Sequence, residues 1–288
     1  MKISELIKTV KPSFSFEFFP PKTDDDVAQL MQTARDLRTL DPTFISVTWG
    51  AGGGTQRKTI DTVSAIKTDL RVESMAHLTC VGASSWEISA VLDELQKKGV
   101  ENILALRGDP PRDHPYFVPH PDGFRHANEL VAHIRQGWKF CIGVAGYPEG
   151  HVECPDKELD LRNLKQKVDA GADFVVTQLF FDNTVYFKFV ERARAIGIQA
   201  PILAGIMPVT NAHQIKRFTT SCGATLPPAL LSRLEAHPDD KAAVVQIGID
   251  HAAQQCAELL RGGAPGIHFY TMNRSHSTTE ILRRLRRS

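Results

Sequence analysis

The chain carries only five cysteines in 288 residues, and Cys80, Cys141, Cys154, Cys222 and Cys256 are too scattered to make a CxxC pair. That spacing excludes a zinc ribbon and a disulfide framework, so no metal is expected and a reduced, cytoplasmic setting fits. An excess of charge is missing too, with 34 Lys and Arg against 33 Asp and Glu. Binding to phosphate backbones needs clustered cations, so nucleic acid is not an expected partner. The one local run, Arg283, Arg284, Arg286 and Arg287, closes a C-terminal helix, where it faces solvent or complements the helix dipole. No apolar run is long enough to span a bilayer, and no membrane partner is expected. Residues 1–10 read as a short amphipathic helix with Ile3, Leu6, Ile7 and Val10 on one side, without the apolar core of a signal peptide. Linkers and low-complexity stretches are also lacking, so residues 1–288 are expected to form a single domain.

What the chain does have is alternation. Strand-like apolar runs at 13–19, 44–49, 73–80, 102–108, 140–147, 174–181, 201–207 and 266–272 are separated by helix-period segments at 25–40, 85–98, 126–136, 157–170, 184–196 and 211–221. Two further helices, 227–236 and 241–261, precede the last strand. Eight such units in one domain length predict an α/β fold, a (β/α)8 TIM barrel with an N-terminal helix and extra helices before the last strand. Strand parity supports the barrel over a doubly wound sheet. Ile45 and Val47 oppose Ser46 and Thr48, while Ile142 and Val144 oppose Cys141, Gly143, Ala145 and Tyr147. A doubly wound sheet buries aliphatics on both faces, whereas here one face is small or polar and is expected to point into the barrel.

The stretch S-F-S-F-E-F-F-P-P-K at 13–22 concentrates the chemistry. Phe14, Phe16 and Phe18 share one face, and Ser13, Ser15 and Glu17 the other. Pro20 and Pro21 cannot donate to a ladder, so the strand ends just past Glu17 and leaves a carboxylate where barrel enzymes place their active sites. A solvent-exposed terminal Glu is the plain alternative. Thr48, His77, Asp109, Tyr147, Gln178 and Tyr270 stand at other strand ends, and each also has a structural explanation: β-branched filler, a hydrogen-bonded core histidine, packing rings, a backbone cap. Arg107 and Asp109 could form a structural ion pair or bind ligand, and Gly108 suits a turn where backbone approaches a ligand. Gly52, Gly53 and Gly54 match neither the P-loop nor the dinucleotide spacing, and are expected to form a loop lying against a planar ligand or serving as a lid.

These segments resemble the methylenetetrahydrofolate reductases along almost the whole chain. The carriers are S-F-E-F-F-P-P at 15–21, S-V-T-W-G-A at 46–51, H-L-T-C at 77–80, L-R-G-D at 106–109, A-G-Y-P-E-G-H at 145–151, T-Q-L-F-F-D at 177–182, G-I-M-P-V at 205–209 and F-Y-T-M-N-R at 269–274. The resemblance implies non-covalent FAD and reduction of 5,10-methylenetetrahydrofolate to 5-methyltetrahydrofolate by NADH or NADPH in ping-pong fashion. It also implies assembly as a homodimer or homotetramer. By motif, Glu17 is the implied general acid toward folate N10, its carboxyl kept protonated by the flanking phenylalanines and the flavin ring. Asp109 is the implied carboxylate beside flavin and pterin.

The FAD positions implied are Thr48, Trp49, Ala51, His77, Arg107, Gly108, Asp109, Ala127, Tyr147, His151, Asp160, Asn163, Lys167 and Ala172. For substrate they are Asp109, Gln178, Gln214, Phe218, Tyr270 and Arg274. Asp160, Asn163 and Lys167 share one helical face, which could also be an ordinary solvated face. His126 and Gln166 depart from the bacterial pattern, where Tyr and Arg are common. Two competing functions remain at this level: a folate-binding barrel methyltransferase without flavin, and a non-catalytic folate or flavin carrier.

Overall fold

The computed structural model of the chain describes residues 1–50, 53–109 and 118–287, with backbone alone at 53–55. In chain order the first half comprises α1 (Ile3–Thr9), β1 (Ser13–Phe18), α2 (Asp24–Arg38), β2 (Phe44–Val47), α3 (Gly53–Asp69), β3 (Ser74–Thr79), α4 (Ser85–Lys97), β4 (Asn102–Leu106) and α5 (Ala127–Gly137). The second half comprises β5 (Cys141–Gly146), α6 (Lys157–Asp169), β6 (Phe174–Thr177), α7 (Asn183–Ala195), β7 (Ile202–Ile206), α8 (Ala212–Cys222), α9 (Pro228–Glu235), α10 (Lys241–Arg261), β8 (Gly266–Tyr270) and α11 (His276–Leu285). All eight strands run parallel in the order β1 to β8, and β8 pairs back to β1. The expected (β/α)8 barrel is therefore the observed fold.

Alternation along each strand divides the apolar residues between two cores. Phe16, Phe18, Ile45, Val47, Ile103, Ile142 and Phe269 face outward into a continuous layer beneath the helices, with Leu30, Leu37, Ile66, Leu92 and Ile134. Inside the barrel a second cluster joins Phe44, Met75, Leu104, Cys141, Phe174, Val176 and Leu203 to Ile3 and Ile7 of α1. The Ile3 N–H donates to Asn102 Oδ1 at 2.8 Å, so α1 closes the barrel at the amino ends of its strands. The interior expected from parity to be small and polar is thus mixed, with Ser13 and Asn102 at its base and Ser15, Ser46 and His268 above. The apolar cluster fills the space between these polar groups, because a barrel of eight strands is a packed core and not a pore.

Two other expectations change. Gly53 and Gly54 belong to the first turn of α3, not to a loop. Ile60, Val63 and Ile66 recur on the buried side of that helix, and their packing outweighs the poor helix propensity of its opening glycines. The sixth strand stops at Thr177, shorter than 174–181, because Gln178 Oε1 takes the Leu179 N–H at 2.9 Å and diverts it from the ladder.

The insertion before β8 has its own small core. Ile215, Leu230, Leu234, Val244 and Ile247 of α8, α9 and α10 pack on Leu179, Phe181 and Met207, with Phe218 and Tyr270 at the margin. This places α8 beside the carboxyl ends of β6 to β8.

Candidate active site

Glu17 is held from both sides at the carboxyl end of β1. Its carbonyl accepts from the Thr271 hydroxyl at 2.6 Å and the Thr271 N–H at 3.2 Å, which fixes the backbone against β8. The side chain points inward and is 13% exposed, so it reaches the barrel mouth while most of it is buried. Its Oε2 lies 3.1 Å from His268 Nε2 and 3.3 Å from His77 Nε2. The first contact is a hydrogen bond; the second is an ion contact whose geometry leaves His77 Nε2 without a hydrogen-bond partner. His268 is fully buried, stacked on the Phe44 ring at 5.6 Å, and its Nδ1 meets Ser15 Oγ at 2.7 Å.

This setting reverses the sequence-based rationale for Glu17. Burial pushes its carboxyl up, but His77 and His268 outweigh that and pull it down to about 2. Strand alternation sends Phe16 and Phe18 to the outer core, on the face away from the carboxyl.

A second cluster sits across the mouth, over β4 and β5. The Arg107 guanidinium forks onto Glu153 at 2.5 and 2.9 Å, so among the described residues its charged partner lies 46 residues on and is not Asp109. Glu153 N–H donates to His151 Nδ1 at 3.1 Å, His151 packs edge-on to Tyr147 at 4.6 Å, and Lys167 Nζ lies 5.8 Å from the Tyr147 ring. Lys167 donates to the Ala145 carbonyl at 2.6 Å. Burial lowers its ammonium to about 8, only partly offset by Asp160, and burial in turn raises the Asp160 carboxyl. Burial also raises the Tyr147 hydroxyl, reinforced by the nearby charge of Asp109.

The implied site residues are therefore partly brought together. Arg107, Gly108, Asp109, Tyr147, His151, Asp160 and Lys167 converge over β4 and β5. Thr48 and Trp49 follow β2, and Ala127 opens α5 on the same side. Asn163 is exposed on α6, as are Gln166 on that helix and His126 at the start of α5. Ala172 is apart from them: it precedes β6 at the amino ends of the strands and packs in the outer core. Ala51 lies outside the described residues. Gln178 is folded onto its own backbone, and the Tyr270 hydroxyl donates to the Thr177 carbonyl at 2.6 Å in space left by Gly205. Gln214 and Arg274 are exposed, and Phe218 is half-buried.

Gly108 has φ +89°, and a Cβ there would meet Val81 Cγ1 at 2.5 Å, so packing within the protein already calls for a glycine at this turn. His268 and Glu153 were missed from sequence. His268 shares the parity of Tyr270 and could have been found that way, whereas nothing local marks Glu153 as the partner of Arg107.

A barrel with a buried carboxylate at one side of its mouth and a cationic, aromatic cluster at the other matches one family model, methylenetetrahydrofolate reductase, over residues 2–286. The chain belongs to the methylenetetrahydrofolate reductase family. It is 41% identical over 300 residues to methylenetetrahydrofolate reductase (NADH) 1 of Arabidopsis thaliana, covering 99% of this chain and 51% of that protein. It is 36% identical over 271 residues to the 5,10-methylenetetrahydrofolate reductase of Pectobacterium carotovorum, covering 94% of this chain and 89% of that protein. The chain thus spans about half the length of the plant relative. Among solved structures, a Clostridium thermocellum protein described as binding two copies of 5-methyl-5,6,7,8-tetrahydrofolic acid superposes with a TM-score of 0.65 at 12% identity, covering 99% of this chain and 98% of that one. At that identity the likeness shows a shared barrel fold and no more.

Proposed function

We propose that the protein reduces the methylene bridge of 5,10-methylenetetrahydrofolate to the methyl group of 5-methyltetrahydrofolate, with NADH or NADPH as reductant and FAD as resident cofactor. The observation that carries this reading is the inward carboxylate of Glu17 at the barrel mouth, in a chain of this family. The donor set over β4 and β5 fits a dinucleotide. Arg107 and Lys167 are two cations able to face a diphosphate, Tyr147 and His151 present rings, and the desolvated Lys167 ammonium would be relieved by an anion. When bound, the flavin would supply a two-electron carrier that takes hydride from the nicotinamide and returns it to the folate carbon.

The chain's own residues then divide the work. Glu17 delivers a proton to the folate nitrogen that leaves the methylene carbon. Asp109, exposed past β4, places negative charge where a cationic ring-opened folate forms. Phe218 and Gln214 on α8, and Arg274 past β8, border the mouth on the opposite side and would contact the aryl and glutamate parts of folate. Gln178 would release its bond to the Leu179 N–H to serve pterin or nicotinamide.

One cuvette tests the reading. FAD-loaded protein should be yellow, bleach anaerobically with NADH or NADPH, and regain colour with 5,10-methylenetetrahydrofolate. A methyltransferase would purify colourless, and a flavin that neither nucleotide bleaches would refute the reductase. In Glu17→Gln, reoxidation by folate should fall by about 10²- to 10⁴-fold while reduction by nucleotide persists; equal loss of both half-reactions would remove Glu17 from the acid role.

A further inference from the structure

Phe19 is a large ring left in the open. It is 43% exposed and joins none of the apolar clusters, although Phe16 and Phe18 before it are fully buried. A single exposed apolar residue is ordinary, but this one is held firmly by its backbone. β1 ends at Phe18, whose carbonyl accepts the Thr48 N–H at 2.9 Å, and Pro20 and Pro21 come directly after Phe19. The Phe19 N–H donates to Asn273 Oδ1 at 2.8 Å, and its carbonyl accepts from Asn273 Nδ2 at 3.3 Å. A side-chain amide carries the same donor and acceptor as a peptide group, so Asn273 extends the β8 side of the ladder after β8 itself has turned away. That pairing keeps β1 extended through Phe19, and alternation then puts its ring on the side of Glu17, over the mouth.

The turn that supplies this amide is unusual. Met272 and Asn273 stand at φ +54° and +57°, a left-handed conformation that Asn tolerates and Met adopts rarely. The Asn273 N–H to Thr271 Oγ1 at 3.2 Å and the Arg274 N–H to the Thr271 carbonyl at 3.0 Å pin it. Such backbone persists where its surroundings enforce it, and it clusters at ligand-facing sites. Three consecutive side chains diverge from the turn. Met272 packs on the small core that also takes Phe218 and Tyr270, Asn273 grips Phe19, and Arg274 is exposed with no partner for its guanidinium among the described residues.

We propose that Phe19 is a substrate-binding residue, a fixed aromatic face on which the p-aminobenzoyl ring of the folate lies, with Asn273 as the positioning residue that holds it. The proposal rests on the reductase reading above and adds a residue to it. Glu17, two residues before Phe19, meets the reacting nitrogen, and Arg274, next to Asn273, suits the glutamate carboxylates. The p-aminobenzoyl ring joins those two parts of the substrate, and Phe19 adjoins both of the residues that receive them. Its contribution is the ring face removed from water and the contact between rings. A ring already held in place loses little freedom when the ligand arrives, which is what the Asn273 clamp supplies.

Calorimetric titration of 5-methyltetrahydrofolate into the FAD-loaded protein tests this. Phe19→Ala should bind about 10- to 100-fold more weakly than wild type, with Phe19→Leu between the two. Phe19→Tyr keeps the ring face and should stay within about threefold of wild type. Asn273→Gly accommodates the positive φ and removes only the amide, so it should weaken binding by about 3- to 10-fold. Added to Phe19→Ala, the same change should weaken binding no further, because no ring is left to hold. The Phe19 variants should unfold at the denaturant midpoint of wild type, which separates lost affinity from lost fold. Binding by Phe19→Ala within about twofold of wild type, or by Phe19→Leu equal to it, would overturn the aromatic face. Additive losses in the double variant would overturn the clamp. A wild type that binds no folate would bring down the reductase reading and the proposal together, whereas equal binding by wild type and Phe19→Ala would bring down the proposal alone.

Discussion

Lys167 offers a quantitative test of where an anionic cofactor sits. Burial holds its ammonium at about 8 in the ligand-free protein, against an ordinary 10.5. A lysine depressed in the folded state makes stability rise as pH climbs from 8 to 10.5, because the unfolded chain binds the proton that the fold rejects. A diphosphate oxygen beside Nζ would return the group toward its ordinary value. At pH 9 about a tenth of Lys167 is charged before binding and nearly all of it after, so FAD binding should take up about 0.9 proton. The same linkage makes the affinity about tenfold weaker at pH 9 than at pH 7. Calorimetry of FAD binding to the ligand-free protein, in two buffers of different ionisation enthalpy, reads the proton directly. Lys167→Met should bind FAD with no uptake between pH 8 and 9. Zero uptake in wild type, or the same uptake in Lys167→Met, would refute the placement of the diphosphate at this lysine.

Three stability predictions follow from packing, each read from denaturant unfolding of the ligand-free protein. Gly108→Ala forces a side chain into a left-handed backbone against Val81 and Thr79, and should cost about 1–3 kcal/mol. Phe174→Ala empties the lower barrel core beside Gly143, and should cost about 3–5 kcal/mol; a loss below about 1 kcal/mol would mean that layer is not close-packed. Tyr270→Phe removes the donor to the Thr177 carbonyl and should cost about 1–3 kcal/mol, with no change in the unfolding slope m.

Periodicity made the barrel legible because every strand alternates and every helix repeats near 3.6 residues, and both patterns survive in a single sequence. The eight strand positions and the inward turn of Glu17 came from that alone. The third helix was obscured by its opening glycines, whose low propensity is overruled by Ile60, Val63 and Ile66 packing on the sheet. The parity argument rested on Ser46, Thr48, Cys141, Gly143, Ala145 and Tyr147 and overlooked that Phe44 and Phe174 share the inward face and fill the barrel with apolar rings.

By itself the sequence determined which residues line the barrel mouth, since side-chain direction in a strand is a local property. It also carried the family motifs from one end of the chain to the other. Only the tertiary structure decided what those residues meet. Glu17 and His268 are 251 positions apart, and closure of β8 onto β1 sets them 3.1 Å from each other. Burial raises that carboxyl, and His77 from β3 together with His268 from β8 outweighs the rise and pulls it down. The partner of Arg107 likewise emerged only from the fold, which brings Glu153 across 46 residues in place of the nearby Asp109. Proton affinities and ion pairs depend on distances through space, and no spacing along the chain encodes them.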